Sequence, residues 1–176
     1  MERKALETWL HRHIPLSQSM RVKVLRTDLD RIVLHAPLRP NRNHQQTAFG
    51  GSLSALMLLA AWSLIHSRLH PATTSHVLVV RRLSARYHAP VTGPLRATAR
   101  LAREAQWRAF ERLLRRRGKA RLTIGSVIEQ DGRIAARFEG EFVAYAKSAP
   151  TPARRVSSTA GAAGARRRAT SPRRSL

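Results

Sequence analysis

The sequence predicts an α+β fold in which an antiparallel sheet wraps around one long central helix. The first observation is an apolar segment, residues 51–69, in which Arg68 is the only Lys, Arg, Asp or Glu. A helix that is apolar all round has to be buried all round. The second observation is that two segments before this helix and four after it alternate apolar and polar residues, as half-buried strands do. A sheet that curls around the helix would cover it.

The segments before the long helix form a short helix and a hairpin. Residues 1–13 have the apolar spacing of an amphipathic helix, which Pro15 ends. Residues 20–25 and 31–36 alternate like strands and are separated by the turn residues 28–30. We therefore expect these two strands to pair with each other.

The segments after the long helix supply the other four strands. Residues 76–87 and 95–101 have strand patterns, and residues 119–129 and 133–145 flank an Asp-Gly turn, which is typical of a hairpin. Residues 102–117 fit either an amphipathic helix or a distorted strand that ends in a helical loop. This order of elements is that of the hotdog fold.

Composition divides the chain into one domain and a tail. The 176 residues suffice for a domain with a real core, which we place at residues 1–147. Residues 148–176 are rich in Arg, Ala, Ser and Pro and are expected to be disordered. The chain has no cysteine, which excludes disulfides and thiolate sites. Residues 1–13 start with charged side chains and lack the apolar stretch of a secretory signal, so no such signal is expected. We expect a cytoplasmic protein.

The net charge of +23 is an unusual property of the composition. Seven arginines lie in the tail without any acidic residue; they are Arg154, Arg155, Arg166, Arg167, Arg168, Arg173 and Arg174. The charge could reflect binding to nucleic acid or to an anionic membrane. It could instead reflect compositional bias, which we favour, or arginines that meet the phosphates of a nucleotide-bearing substrate.

A membrane span is not expected from the apolar segment. Its dense apolar part, residues 53–65, is shorter than the ~20 residues that a spanning helix needs. Segments of this length are usually core helices.

A polar turn followed by two glycines leads into the long helix, in the segment 43–53, NHQQTAFGGSL. Glycine allows a ligand to approach the backbone closely, and the first amides of a helix lack partners within it. Such amides hold a carbonyl or phosphate oxygen well. The alternative is that Gly50 and Gly51 only allow a tight turn into the helix.

Five segments of the chain resemble the thioesterase domain of the YiiD C-terminal type. These are residues 14–17, 43–53, 60–62, 87–91 and 138–144. The resemblance covers about residues 4–147, and the string TAFGGSL is its most specific part. It implies a hotdog fold, a homodimer, and acyl thioesters of coenzyme A (acyl-CoA) or of acyl carrier protein (acyl-ACP) as ligands.

Hydrolysis of a thioester needs a polarised carbonyl. The amides of Gly50 and Gly51 are the candidates for this task, with Ser52 beside them. We assign Phe49 and Ser52 to substrate binding. Ser52 and Ser54 are not expected to be nucleophiles, because the segment lacks the Gly-x-Ser-x-Gly pattern.

Hydrolysis also needs a group that delivers water. Many hotdog thioesterases use a carboxylate for this, but this chain has no Asp or Glu between Asp30 and Glu104. His44 is the natural substitute as a general base, because imidazole titrates near neutral pH. Asn43 could orient the water or the carbonyl, and Thr47 could bond to either. Alternatively, Asn43 and Thr47 satisfy the loop backbone and His44 is solvated.

Two arginines are candidates for the phosphates of coenzyme A. Strand alternation places Arg82 and Arg86 on one face, opposite Arg81, although a solvated face is the alternative. The histidines lack a spacing with nearby carboxylates that would indicate a metal, so no metal and no cofactor are assigned. Met57 and Trp62 are expected in the core.

These patterns predict an acyl-thioester hydrolase that acts as a homodimer. A non-catalytic acyl-thioester binding protein is the alternative, because the carboxylate is missing. A basic nucleic-acid-associated protein is the third hypothesis, and it rests on charge alone.

Overall fold

In the computed structural model, residues 1–69 and 76–146 are described, and they form four α-helices and a six-stranded antiparallel sheet. The elements in chain order are α1 (Arg3–His13), α2 (Pro15–Ser19), β1 (Lys23–Thr27), β2 (Arg31–Ala36), α3 (Gly50–Leu69), β3 (His76–Tyr87), β4 (Leu95–Arg100), α4 (Glu104–Arg117), β5 (Lys119–Gln130) and β6 (Arg133–Ala146). The strand order is β1-β2-β4-β5-β6-β3. The predicted tail, 148–176, lies outside the described residues.

Helix α3 is the centre of the molecule, as predicted. It packs against β2, β4, β5 and β6, and side chains such as Leu56, Met57 and Ile65 are fully buried. The expectation that the sheet covers every face is wrong for one stripe of α3. Gly51 is exposed and Leu58 and Trp62 are half-buried, because the sheet ends beside them at β3.

The described residues contain one helix whose length and apolarity would suffice to cross a membrane, α3 itself. More than half of its most apolar window is buried against the rest of the protein. This burial is typical of a core helix.

Residues 102–117, for which two structures were possible, contain the helix α4. Its first turn is tied to the end of α3, because the Arg68 guanidinium donates two hydrogen bonds to the Glu104 carboxylate, at 2.7 and 3.0 Å. The same guanidinium lies 4.4 Å from the centre of the Trp107 ring. Gly118 ends the helix with φ of 62°, a left-handed conformation that glycine adopts without strain.

The N-terminal segments differ from the prediction in two details. A short helix, α2, begins at Pro15 and was not predicted. Strand β1 begins at Lys23 rather than at residue 20, since Met20 ends α2 and Arg21 has φ of 54°. β1 and β2 pair in antiparallel register, as expected.

A β-bulge in β3 decides which residues of that strand face α3. The register with β6 shifts between Val80 and Arg82, so two residues of β3 lie opposite one residue of β6. The Arg81 guanidinium donates to the Glu141 carboxylate at 2.8 Å, and Arg82 lies directly opposite Glu141. The prediction that Arg81 faces away from Arg82 is therefore wrong. Beyond the bulge, Tyr87 lies opposite the buried Ala136 and faces α3.

Candidate active site at the start of helix α3

The loop before α3 is closed by its own hydrogen bonds. A β-bridge joins Arg42 to Ala48, and the Asn43 amide donates to the Thr47 carbonyl at 2.7 Å. The Asn43 side-chain oxygen accepts from the amides of Gln45 and Thr47, at 2.9 and 3.2 Å, and its Nδ2 donates to the Thr47 hydroxyl at 3.0 Å. Both the oxygen and the nitrogen of the Asn43 side chain thus bond within the loop, as the alternative interpretation of the sequence required.

The loop is fixed to the body of the protein by a residue that the sequence did not single out, Asn41. This side chain is buried, and its Nδ2 donates to the carbonyls of Met20 and Pro37 at 3.0 and 2.8 Å. The backbone carbonyl of Asn41 accepts a hydrogen bond from the Phe49 amide at 2.8 Å. Asn41 therefore holds the position at which α3 begins, but an asparagine directly after a proline gave no sequence signal for this role.

The first amides of α3 are available to a ligand. Leu53 is the first residue whose amide bonds back along the chain, to the Phe49 carbonyl at 3.0 Å. The structure as described gives the amides of Gly50, Gly51 and Ser52 no backbone partner. Gly51 is exposed and Gly50 is half-buried. These amides carry the positive end of the helix dipole.

The two glycines have different steric surroundings. A Cβ at Gly51 would collide with the Phe49 ring, so packing alone gives a reason for glycine at this position. A Cβ at Gly50 would lie 3.7 Å from the Tyr87 ring, an ordinary contact. The Phe49 ring itself is 56% exposed.

Tyr87 joins the end of β3 to the first turn of α3. Its hydroxyl donates to the Gly50 carbonyl at 3.1 Å and lies 2.5 Å from the Ser54 hydroxyl. Uninterrupted alternation from the start of β3 would place Tyr87 on the opposite face of the sheet. The bulge reverses that alternation. Ser54 was considered only as a nucleophile.

A groove of about 310 Å³ opens beside these residues. Its lining consists of Thr47, Ala48, Gly50, Leu53, Tyr87, His88, Ala89, Pro90 and Val91. None of these is an aspartate or a glutamate. His44 lies exposed on the loop and is not part of the lining.

An apolar cleft of about 360 Å³ lies further along the uncovered stripe of α3. It is lined by Ile14, Leu16, Ser17, Met20, Ala55, Leu58, Leu59, Trp62, Leu78, Val79 and Val80. The Trp62 indole donates to the Leu78 carbonyl at 3.1 Å, which fixes one wall. Met57 is in the core as predicted, whereas Trp62 is also part of this wall.

The comparison with protein families decides what kind of domain this is. Residues 3–146 match the family described as "Putative thioesterase (yiiD_Cterm)". The chain belongs to this family. The resemblance seen in the sequence is thereby confirmed, and the match ends where the basic tail begins.

Solved structures agree with the family. A protein of unknown function from Chlorobaculum tepidum is 30% identical, with a TM-score of 0.76 over 81% of this chain and 93% of that one. A protein from Shewanella oneidensis described as a putative thioesterase is 26% identical, with a TM-score of 0.71 over 81% and 96%. A protein from Pseudomonas aeruginosa is 19% identical with a TM-score of 0.74, over 84% of this chain and 97% of that one, and it supports the fold. The hotdog fold is thus confirmed.

Within this thioesterase family domain, the two candidate arginines lie away from the loop. Arg82 and Arg86 lie opposite Glu141 and Arg137 on the face of the sheet that points away from α3. The sheet stands between them and Gly50 within one chain. The described part of the chain also contains no group of three or more His, Asp or Glu side chains that could hold a metal ion.

Proposed function

We propose that this protein hydrolyses acyl thioesters of coenzyme A or acyl carrier protein, in the cytoplasm and as a homodimer. The observation that carries the proposal is the set of unpartnered amides at Gly50 and Gly51. Ala55, in the wall of the apolar cleft, is four residues further along α3, or about 6 Å along the helix axis. A thioester carbonyl at the amides would leave its acyl chain within reach of the cleft.

The reaction requires stabilisation of one oxygen and the transfer of one proton. Water adds to the carbonyl carbon and gives its proton to a base, the C–S bond breaks, and the leaving thiolate takes up a proton. The amides of Gly50 and Gly51 would bind the oxyanion, and losing one such donor costs about 3–4 kcal/mol of transition-state stabilisation. His44 is the proposed base, and the Asn43–Thr47 contacts would hold the loop that carries it.

The substrate contacts follow from the same placement. Phe49 and Ser52 flank the two glycines, so we keep them as substrate-binding residues. Tyr87 is added to the site, because its hydroxyl bonds to the first turn of α3. Arg82 and Arg86 stay candidates for a phosphate contact only if a partner chain brings a substrate to their face of the sheet.

Non-catalytic binding of acyl thioesters is the second candidate function. The observation that favours it is the lining of the groove, in which there is no carboxylate. A protein with amides and an apolar cleft but without a competent base would bind a thioester and leave it intact.

Release of free thiol from a panel of acyl-CoA substrates distinguishes the two functions. The wild type is expected to turn over, and His44→Ala to lower kcat by about 100-fold or more. Gln45→Ala is the matched control, because it alters the neighbouring exposed side chain of the same loop. If the wild type releases no thiol while acyl-CoA still raises its melting temperature, hydrolysis is excluded and binding is supported.

A further inference from the structure

The face of the sheet that points away from α3 carries a basic basin of about 710 Å³. Five arginines contribute to its lining: Arg31 from β2, Arg96 and Arg100 from β4, Arg137 from β6 and Arg86 from β3. The acidic residues in the lining are Glu129 and Glu139. The basin therefore has an excess of positive charge.

The strand register places four of these arginines in like-charged pairs. Arg31 is directly opposite Arg100, and Arg86 is directly opposite Arg137. Like charges in directly opposite positions destabilise a sheet. The arginines that form ion pairs in the described chain are Arg26, Arg68, Arg81 and Arg121, and none of them lines the basin.

The donors of the basin are not used up within the protein. The Arg31 Nε atom is buried and has no hydrogen-bond partner in the described chain. A buried donor without a partner is costly, and an arginine donor is best satisfied by a carboxylate or a phosphate. Glu129 and Glu139 make no ion pair with the basin arginines within the described residues.

The floor of the basin leaves room for a ligand. Ser84, Ala102 and Gly125 are small, and Gly125 lies between Arg100 and Glu139 in the register. The volume is within the range of about 300–1,000 Å³ that is usual for small-molecule sites. A concave surface of this size suits a compact ligand better than a nucleic-acid duplex, which needs a longer contact surface.

We propose that this basin binds a small organic molecule with two or more phosphate groups, of the nucleoside di- or triphosphate class. The backbone positions of the two like-charged pairs have midpoints three strand spacings apart, or about 14 Å across the sheet. This separation favours a ligand with several anionic groups over a single phosphate. The bound phosphates would offset the repulsion within each pair. The basin shares Arg86 with the phosphate contact considered for the thioester substrate, but it lies on the opposite face of the sheet from Gly50, and its binding test does not depend on thioester hydrolysis.

Calorimetric titration of the full chain with ATP, inorganic tripolyphosphate and adenosine tests this proposal. The variant Arg100→Gln/Arg137→Gln removes one arginine from each pair. It is expected to weaken ATP binding by at least about tenfold. The control, Arg112→Gln/Arg116→Gln, removes the same charge from exposed positions of α4 and keeps the tail, so it should bind within about twofold of the wild type. Adenosine should not bind.

Three outcomes would overturn the proposal. The first is that ATP does not bind to the wild type. The second is that both double variants lose the same affinity for ATP, which would indicate a general charge effect. The third is that a duplex oligonucleotide binds through Arg100 and Arg137 while ATP does not, which would indicate a nucleic-acid surface.

The melting temperature of ligand-free Arg100→Gln/Arg137→Gln is expected to equal or exceed that of the wild type, because repulsion is removed. A large decrease would contradict the like-charge argument.

Discussion

Tyr87 is the residue that the structure adds to the site. Its hydroxyl contacts the Gly50 carbonyl and the Ser54 hydroxyl, and both belong to the start of the helix whose first amides have no backbone partner in the described chain. A phenol in this position can fix the orientation of that turn or donate to a bound oxygen. Either role makes the hydroxyl matter more for turnover than for folding.

Tyr87→Phe removes only this hydroxyl. We expect kcat for acyl-CoA hydrolysis to fall by about tenfold or more, with a smaller change in KM, because the hydroxyl holds the turn whose amides would bind the reacting oxygen and does not line the apolar cleft. Tyr145→Phe alters the other tyrosine of the chain, at the end of β6, and should keep the wild-type kcat. Equal kcat values for both variants would remove Tyr87 from the site.

Single residues also mark how far the sequence could be interpreted. The pattern located the loop and the two glycines, because turn residues before an apolar helix are visible in any single sequence. It left open whether Asn43 acts on a substrate or on its own loop, since side-chain direction in a loop has no periodicity. It likewise gave no indication that Gly51 makes room for the Phe49 ring.

Strand β3 is the element whose surroundings are least complete in one chain. It is an edge strand of 12 residues, and Val79, Val80, Leu83 and Tyr87 are each exposed by more than a third. A long apolar edge is a ready surface for pairing with another strand. The homodimer that we propose would cover it by pairing β3 with the same strand of a second copy.

Leu83→Lys places a charge on this edge. We expect the wild type to elute as a dimer and Leu83→Lys to elute as a monomer, by size-exclusion chromatography with light scattering, because a buried lysine opposes pairing. Leu113→Lys is the matched control, since Leu113 is an equally apolar, exposed side chain on α4. A monomeric wild type, or a dimer in both variants, would contradict pairing through β3.

Element boundaries were predicted well where a period was strong. The bounds of β2 and β3 agree with the segments expected from alternation. The identity of α4 stayed open because its apolar spacing also fits a distorted strand that ends in a helical loop. The ion pair of Glu104 with Arg68, which ties the start of α4 to α3, is a tertiary contact that local patterns do not contain. The bulge in β3 had no sequence signal either, since no glycine marks it.

At the scale of the whole molecule, the positive charge affects how stability depends on pH. Burial, together with the nearby Lys23 and Arg96, lowers the pKa of His35 below 6.5. Hydrogen bonding to Arg68 lowers the pKa of Glu104, and hydrogen bonding to Arg81 lowers that of Glu141. In each case the unfolded chain takes up protons first as the pH falls, so the free energy of unfolding decreases toward acid.

The histidine window lies just below pH 6.5 and the glutamate window lies below pH 4.5. Between about pH 7.5 and about pH 5.5, the wild type should therefore lose more melting temperature than His35→Gln, which has no proton to take up at this position. His44→Gln, in the exposed loop, is the control and should lose as much as the wild type. Parallel curves for wild type and His35→Gln would exclude this contribution.

The fold class was predictable because one apolar helix among alternating strands has few ways to be buried. The family match adds that chains of this kind are described as putative thioesterases. The basic basin was not predictable, because strand order decides which arginines become neighbours, and that order follows from tertiary pairing.

The extra residue in β3 also bears on how such a site could change over generations. Deleting the codon for Arg81 would remove the bulge and leave the pairing of all later residues with β6 unchanged, so Tyr87 would still face the helix. Regular pairing of β3 at its present length would instead turn Arg86 toward the helix, where its guanidinium would be repelled by the positive end of the helix dipole. A mutation that shortens β3 by this one residue would thus keep the phenolic donor, whereas one that flattens the bulge would replace it with a cation.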